Sequence, residues 1–129
     1  MAGAEALKAI RARTGTAQSA APAKKVDGKL YKDVKTNCKK VVALACSTGG
    51  PKSLQQVIPM LPRNLDAGVV LVQHMPAGFT ASLAQRLDEM SDVQVKEAED
   101  GDIIRRGHVY IAPGGKHLRI VKNGSGHKI

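Results

Sequence analysis

Tryptophan is absent from this sequence, and Phe79, Tyr31 and Tyr110 are its only aromatic residues, 2% of 129. A protein that binds single-stranded nucleic acid by stacking bases on rings needs more of them. Cysteine is as scarce. Cys38 and Cys46 fit neither a metal-ligand spacing nor a disulfide framework, so the expectation is a reduced, cytoplasmic chain that carries no metal and no cofactor. No apolar run approaches the roughly 18 residues of a membrane span, and the N-terminus lacks the continuous apolar core of a signal peptide. Membrane insertion is not expected.

What is present is ordinary globular material, 43% apolar and 24% charged, in a length that suits one domain with a real core and little margin. The net charge of +9 would raise nucleic acid as a partner. Its placement argues otherwise. Residues 1–40 hold ten Lys/Arg against three acids, whereas residues 41–129 hold ten against eight. The basicity belongs to a leader, and the rest of the chain is nearly balanced. Within the leader, Gly3–Arg13 has helical spacing but is too short to stand alone. The small and polar stretch TGTAQSAAPAKKVDGK then reads as a flexible linker trailing from something upstream.

From Lys40 the pattern changes. VVALAC (41–46) is a continuous apolar run suited to a strand covered on both faces. Residues 51–61 carry Leu54, Val57, Ile58 and Leu61 at helix spacing, with Pro51 suited to the first turn and Pro59 and Pro62 ending the helix early. GVVLVQH (68–74) predicts a second buried strand, FTASLAQRLDEM (79–90) a second helix, and VQVKEA (93–98) a third strand. HVYIAP (108–113) and HLRIVK (117–122) predict a hairpin around Gly114-Gly115. Strands alternating with helices give an α/β fold, a mostly parallel, Rossmann-like sheet with flanking helices and right-handed crossovers.

The chemistry concentrates at two strand ends. Ser47 closes the first strand and His74 the second, separated by about one strand–helix–strand unit. If the strands are neighbours, their ends lie about 5 Å apart and the side chains come within reach of each other. That edge is also where such sheets bind ligands. Gly49 and Gly50 allow a tight nucleophile turn, and the next helix directs its positive end at it. Two other readings of Ser47-Thr48-Gly49-Gly50 stand beside this one. A phosphate cradle uses the same physics, but CSTGGPKS has neither dinucleotide-loop nor P-loop spacing. A plain polar turn needs no function at all, and His74 has its own bland reading as a satisfied strand-end histidine. His108, His117 and His127 have no zinc spacing between them. The acidic run EAEDGD (97–102) reads as a solvated turn and lacks the pattern of a calcium loop.

Taken together, ACSTGGPKSL, VVLVQHMPAGFTASLAQRLD, VKEAEDGD and GHVYIAPGGKHL closely resemble the catalytic domain of the chemotaxis response-regulator protein-glutamate methylesterases, the CheB family, from about Val41 to Leu118. The resemblance implies a serine hydrolase that removes methyl esters from glutamate side chains of chemoreceptors and deamidates certain glutamines. It implies Ser47 as nucleophile, His74 as general base and Thr48 as a neighbouring active-site residue. It makes residues 1–40 similar to the linker from a receiver domain and 41–129 a partial catalytic domain, incomplete at the C-terminus. The partners implied are the cytoplasmic domains of methylated chemoreceptors, together with a receiver domain, with no nucleic acid among them. The family's orienting aspartate lies in a later segment of the type Gly-Met-Gly-x-Asp-Gly, which this sequence does not contain, and neither Asp100 nor Asp102 matches it. The expectation is therefore a weak or inactive esterase with an unprotected sheet edge. The alternative is a non-catalytic remnant acting as a chemoreceptor-interaction module. An anion-binding module and a nucleic-acid-binding leader rank below it.

Overall fold

The computed structural model describes residues 38–129. The helix expected over Gly3–Arg13 and the linker after it lie outside the described residues. The elements run β1 (Val41–Cys46), α1 (Gly50–Val57), a 3₁₀ turn (Ile58–Met60), β2 (Gly68–Gln73), α2 (Phe79–Met90), β3 (Gln94–Glu97), β4 (His108–Ile111), β5 (Val121–Asn123) and β6 (Gly126–Lys128). The first helix changes to a 3₁₀ turn at Pro59 because proline has no N–H to continue the α ladder. Val57, expected on its apolar stripe, is half exposed. In α2 the buried residues are Thr80, Leu83, Ala84 and Leu87, a stripe along one helical face.

β1 to β4 form one parallel sheet in the order β1-β2-β4-β3. Going from β1 to β2 and from β2 to β3, the chain moves in one direction across the sheet. Going from β3 to β4 it turns back. Right-handed crossovers must then lie on opposite faces. Both helices accordingly cover the face of Val69, Leu71, Val95, Val109 and Ile111, packed with Leu54, Ile58, Leu83, Ala84 and Leu87. The β3–β4 connection crosses the other face, where Ile104 and Ala98 pack against Val70 and Tyr110. The Tyr110 hydroxyl fastens this connection, donating to the Ile103 carbonyl at 2.7 Å and accepting from the Arg105 N–H at 3.1 Å.

Two expectations need correction. β1 is not covered on both faces: it is the edge strand, and Ala43, Ala45 and, on β2, Val72 are exposed on a part of the sheet over which no described element packs. The hairpin around Gly114-Gly115 is also absent. HVYI is instead a central parallel strand between β2 and β3, which an antiparallel partner could not join there. The hairpin lies further on, where β5 and β6 pair antiparallel across Gly124-Ser125. Gly124 has φ of +61° and Ser125 does not have positive φ, the geometry of a two-residue turn with glycine at its first central position. The Gly124-Ser125 dipeptide was the signal for it. This hairpin is tied to the β3–β4 connection through Ile104 N–H to His127 C=O at 3.0 Å and Ile129 N–H to Asp102 C=O at 2.9 Å.

The two faces of β2 give a direct stability contrast. Leu71→Ala empties a site with no exposure at all and is expected to cost about 3 kcal/mol, whereas Val72→Ala should cost under about 1 kcal/mol. Equal losses in urea unfolding would show that the faces are misassigned. Tyr110 supplies a pH dependence. Burial pushes its phenol up to about 12, so the unfolded chain ionises first. Its contribution is full below pH 10 and is lost as pH rises toward 12, by up to about 2 kcal/mol. Unfolding curves between pH 9 and 12 should show this slope, and Tyr110→Phe should remove that part of it.

Candidate active site

The β1–β2 ladder pairs Val41 with Gly68 and runs in register to Cys46 opposite Gln73. One further backbone bond, His74 N–H to Cys46 C=O at 3.0 Å, completes it. The next residues on the two strands are Ser47 and His74. Register alone therefore sets them side by side, and Ser47 Oγ lies 3.5 Å from His74 Nδ1 with both side chains exposed. This is long for a hydrogen bond but normal for a serine–base pair before substrate arrives. For the hydroxyl to donate, Nδ1 must be the unprotonated ring nitrogen. Among the described residues no carboxylate bonds the His74 ring.

Behind Ser47 the chain turns sharply. The Gly50 N–H donates to the Ser47 carbonyl at 2.9 Å, and Gly49, with φ of +77°, is the N-cap of α1. That backbone region favours glycine because it lacks a Cβ. The helix start has no side-chain cap, no acidic residue in its first turn and a proline there. The expectation that helix N–H groups face the turn needs refinement. Gly50 has already bonded Ser47 C=O, and Pro51 has no N–H. The donors left are the N–H groups of Thr48, Gly49 and Lys52, which find no acceptor among the described residues. Thr48 itself is exposed beside Ser47.

Gln73 is the site residue that sequence reasoning missed. It is 4% exposed, at the end of an otherwise apolar strand and on the strand face that the helices cover. Its Nε2 donates to the Ser47 carbonyl at 2.9 Å and also reaches the His74 carbonyl at 3.4 Å. Room for it exists because residue 50 is glycine: a Cβ there would run into Gln73 Oε1 and come within 2.8 Å of Cys46 Cβ. A polar residue at a core-facing position was the available signal.

The loop after His74 is braced from β4. A Cβ at Gly114 would lie 2.6 Å from the Pro76 carbonyl oxygen and 2.7 Å from that of Met75, so the two backbones touch. The Gly114 N–H donates to the Thr80 hydroxyl at 3.0 Å, and that hydroxyl donates to Glu97 at 2.6 Å. The chain leaves β2 for the helix face and leaves β4 for the other face. The crevice between such strand ends is where open parallel sheets hold ligands.

Other polar groups are engaged elsewhere. The Asp102 carboxylate pairs with Lys96 at 2.9 Å and accepts the Glu99 N–H at 2.9 Å, making the acidic run a turn as expected. His108 begins β4, where burial lowers its pKa against the opposing effect of its bond to the Arg106 carbonyl. His127 reaches the Cys38 carbonyl at 3.5 Å. Among the described residues no group of His, Cys, Asp and Glu is placed to hold a metal, and no helix is long and apolar enough to cross a membrane. A cleft of about 720 Å³ lies between residues 97–101 and 116–119, and none of Ser47, Thr48 and His74 lines it. The serine–histidine pair stands on open surface.

The model of the family described as CheB methylesterase matches residues 42–128. The chain is 57% identical over 91 residues to a protein-glutamate methylesterase/protein-glutamine glutaminase of Bacillus subtilis, covering 70% of this chain and 26% of that protein. It is 54% identical over 83 residues to the protein of the same name from Pyrococcus abyssi, covering 64% and 23%. The crystal structure of the Thermotoga maritima CheB methylesterase catalytic domain superposes with a TM-score of 0.67 at 53% identity, over 69% of this chain and 47% of that one. The match thus spans about a quarter of these curated relatives. A family match over more than half the sequence, coinciding with a serine and a histidine that strand register brings together, leads to one conclusion: this chain belongs to the CheB methylesterase family.

Proposed function

We propose that this chain is a serine hydrolase of chemotaxis adaptation, acting in the cytoplasm on glutamate methyl esters of chemoreceptors and deamidating certain receptor glutamines. The observation that carries the reading is the Ser47–His74 approach at 3.5 Å at the ends of two paired strands, in a chain whose relatives are named for this reaction. Ser47 Oγ attacks the ester carbonyl while His74 takes its proton. Negative charge develops on the carbonyl oxygen beside the free N–H groups of Thr48, Gly49 and Lys52 and the positive end of α1. Collapse expels methanol, which receives the proton from His74. Water activated by His74 then releases the glutamate carboxylate. With a glutamine side chain the first leaving group is ammonia. An exposed pair suits a substrate side chain presented by another protein, and the supporting role of Thr48 is its neighbouring N–H and hydroxyl. A receiver domain, to which residues 1–40 would connect as linker, is the proposed regulatory partner.

Catalysis by the 129 residues alone is proposed to be impaired. A His74 ring with no described carboxylate partner has no fixed tautomer. In a serine protease, changing the orienting aspartate to asparagine costs about 10⁴ in turnover. The same observation favours the second reading, a non-catalytic module that only binds receptors. Methanol release from a methylated receptor cytoplasmic domain separates the two. The expected result is slow release, about 10⁴ below that of a complete methylesterase, falling to the no-protein level with Ser47→Ala or His74→Ala. Release near a complete enzyme's rate would refute the impairment. Receptor binding with no Ser47-dependent methanol would establish the interaction module instead.

A further inference from the structure

The side chain of Gln73 touches neither reacting atom, yet its one amide nitrogen reaches the main-chain carbonyls of both residues that carry them, Ser47 at 2.9 Å and His74 at 3.4 Å. Both partners are acceptors, which sets the amide orientation: nitrogen toward the pair, oxygen toward Gly50. We infer that Gln73 is a positioning residue that holds the nucleophile turn and the base-bearing strand end at a fixed separation. This inference rests on the reading of Ser47 and His74 as nucleophile and base.

Three features favour this role over simple core filling. The side chain is buried, and its Oε1 has no hydrogen-bond partner. An unsatisfied buried acceptor is destabilising, and an apolar residue of equal volume would avoid it. The donor half, in contrast, lies where the two chains diverge. Beyond Cys46 and Gln73 the strand pairing ends with a single bond, His74 N–H to Cys46 C=O. Past that point the separation of Ser47 from His74 depends on the Gly50 turn bond and on the Gln73 amide. Gly50 belongs to the same device, since any side chain at that position would displace the amide. Proton transfer from a serine hydroxyl is sensitive to separation, and a misplacement of about 1 Å costs up to about a hundredfold in rate.

The test uses the full 129-residue chain and a fluorophosphonate probe, whose covalent capture by Ser47 reports nucleophile activation without needing receptor or turnover. Gln73→Met keeps the volume and removes the donor. It is expected to slow labelling between about tenfold and a hundredfold while leaving the melting temperature within a few degrees. Gln73→Glu is nearly isosteric and separates positioning from packing. Its carboxylate repels the two carbonyls at neutral pH, whereas its protonated form can donate to the Ser47 carbonyl. The labelling rate of Gln73→Glu, divided at each pH by that of the unaltered chain, should therefore rise as pH falls. Should Gln73→Met fail to fold, this ratio decides alone. Labelling of both variants at the unaltered rate, or a ratio flat with pH, would overturn the positioning role while leaving the Ser47–His74 pair intact. Labelling of Ser47 that His74→Ala leaves unchanged would remove the pair itself and the positioning role with it.

Discussion

Parallel pairing of β1 with β2 is the constraint from which the site follows. Six residue pairs in register bring both strands to an end at the same level, Cys46 opposite Gln73. Because the two strands run the same way, the residues that leave the ladder next are also neighbours. A shift of one residue would move Ser47 away from His74 and send every apolar side chain of β1 to the wrong face. The register is held by the burial that depends on it. Leu71 and Val69 enter the helix-covered core in the same alternation that brings Gln73 beneath the Ser47 turn.

The second layer of organisation is handedness. Right-handed crossovers place α1 and α2 together on one face and the β3–β4 connection on the other, because the chain reverses its direction across the sheet after β3. The chain therefore leaves the ends of β2 and β4 for opposite faces. There the loop after His74 rests against Gly114, and the buried Thr80 hydroxyl joins that loop region to Glu97 at the end of β3. Among the described residues, Ser47 and His74 stand exposed at the carboxyl ends of the edge pair of strands.

The glycines mark where backbone geometry, and not side-chain chemistry, is the working part. Gly49 takes a backbone conformation that other residues rarely adopt, and Gly50 gives its Cβ space to Gln73. Ser-Thr-Gly-Gly is consequently a statement about volume and dihedral angle as much as about a serine hydroxyl. The same holds for Gly124, whose positive φ closes the small hairpin tied to the β3–β4 connection.

Most of the architecture was legible in the chain. Apolar runs over Val41–Cys46 and Gly68–Gln73, helical spacing over Phe79–Met90 and the strand–helix alternation determined an α/β parallel fold and the approach of Ser47 to His74, because period and handedness act locally along the chain. The resemblance to the methylesterases was equally local, carried by short blocks of residues. Other features depended on which strands become neighbours, and periodicity does not encode that. HVYI reads alike as a hairpin arm or a central parallel strand, and VVALAC reads as fully buried although it lies at an edge. The role of Gln73 was decided in the same way. Only the tertiary pairing of β1 with β2, and the room above Gly50, turns a lone polar residue at a strand end into the link between two main-chain carbonyls.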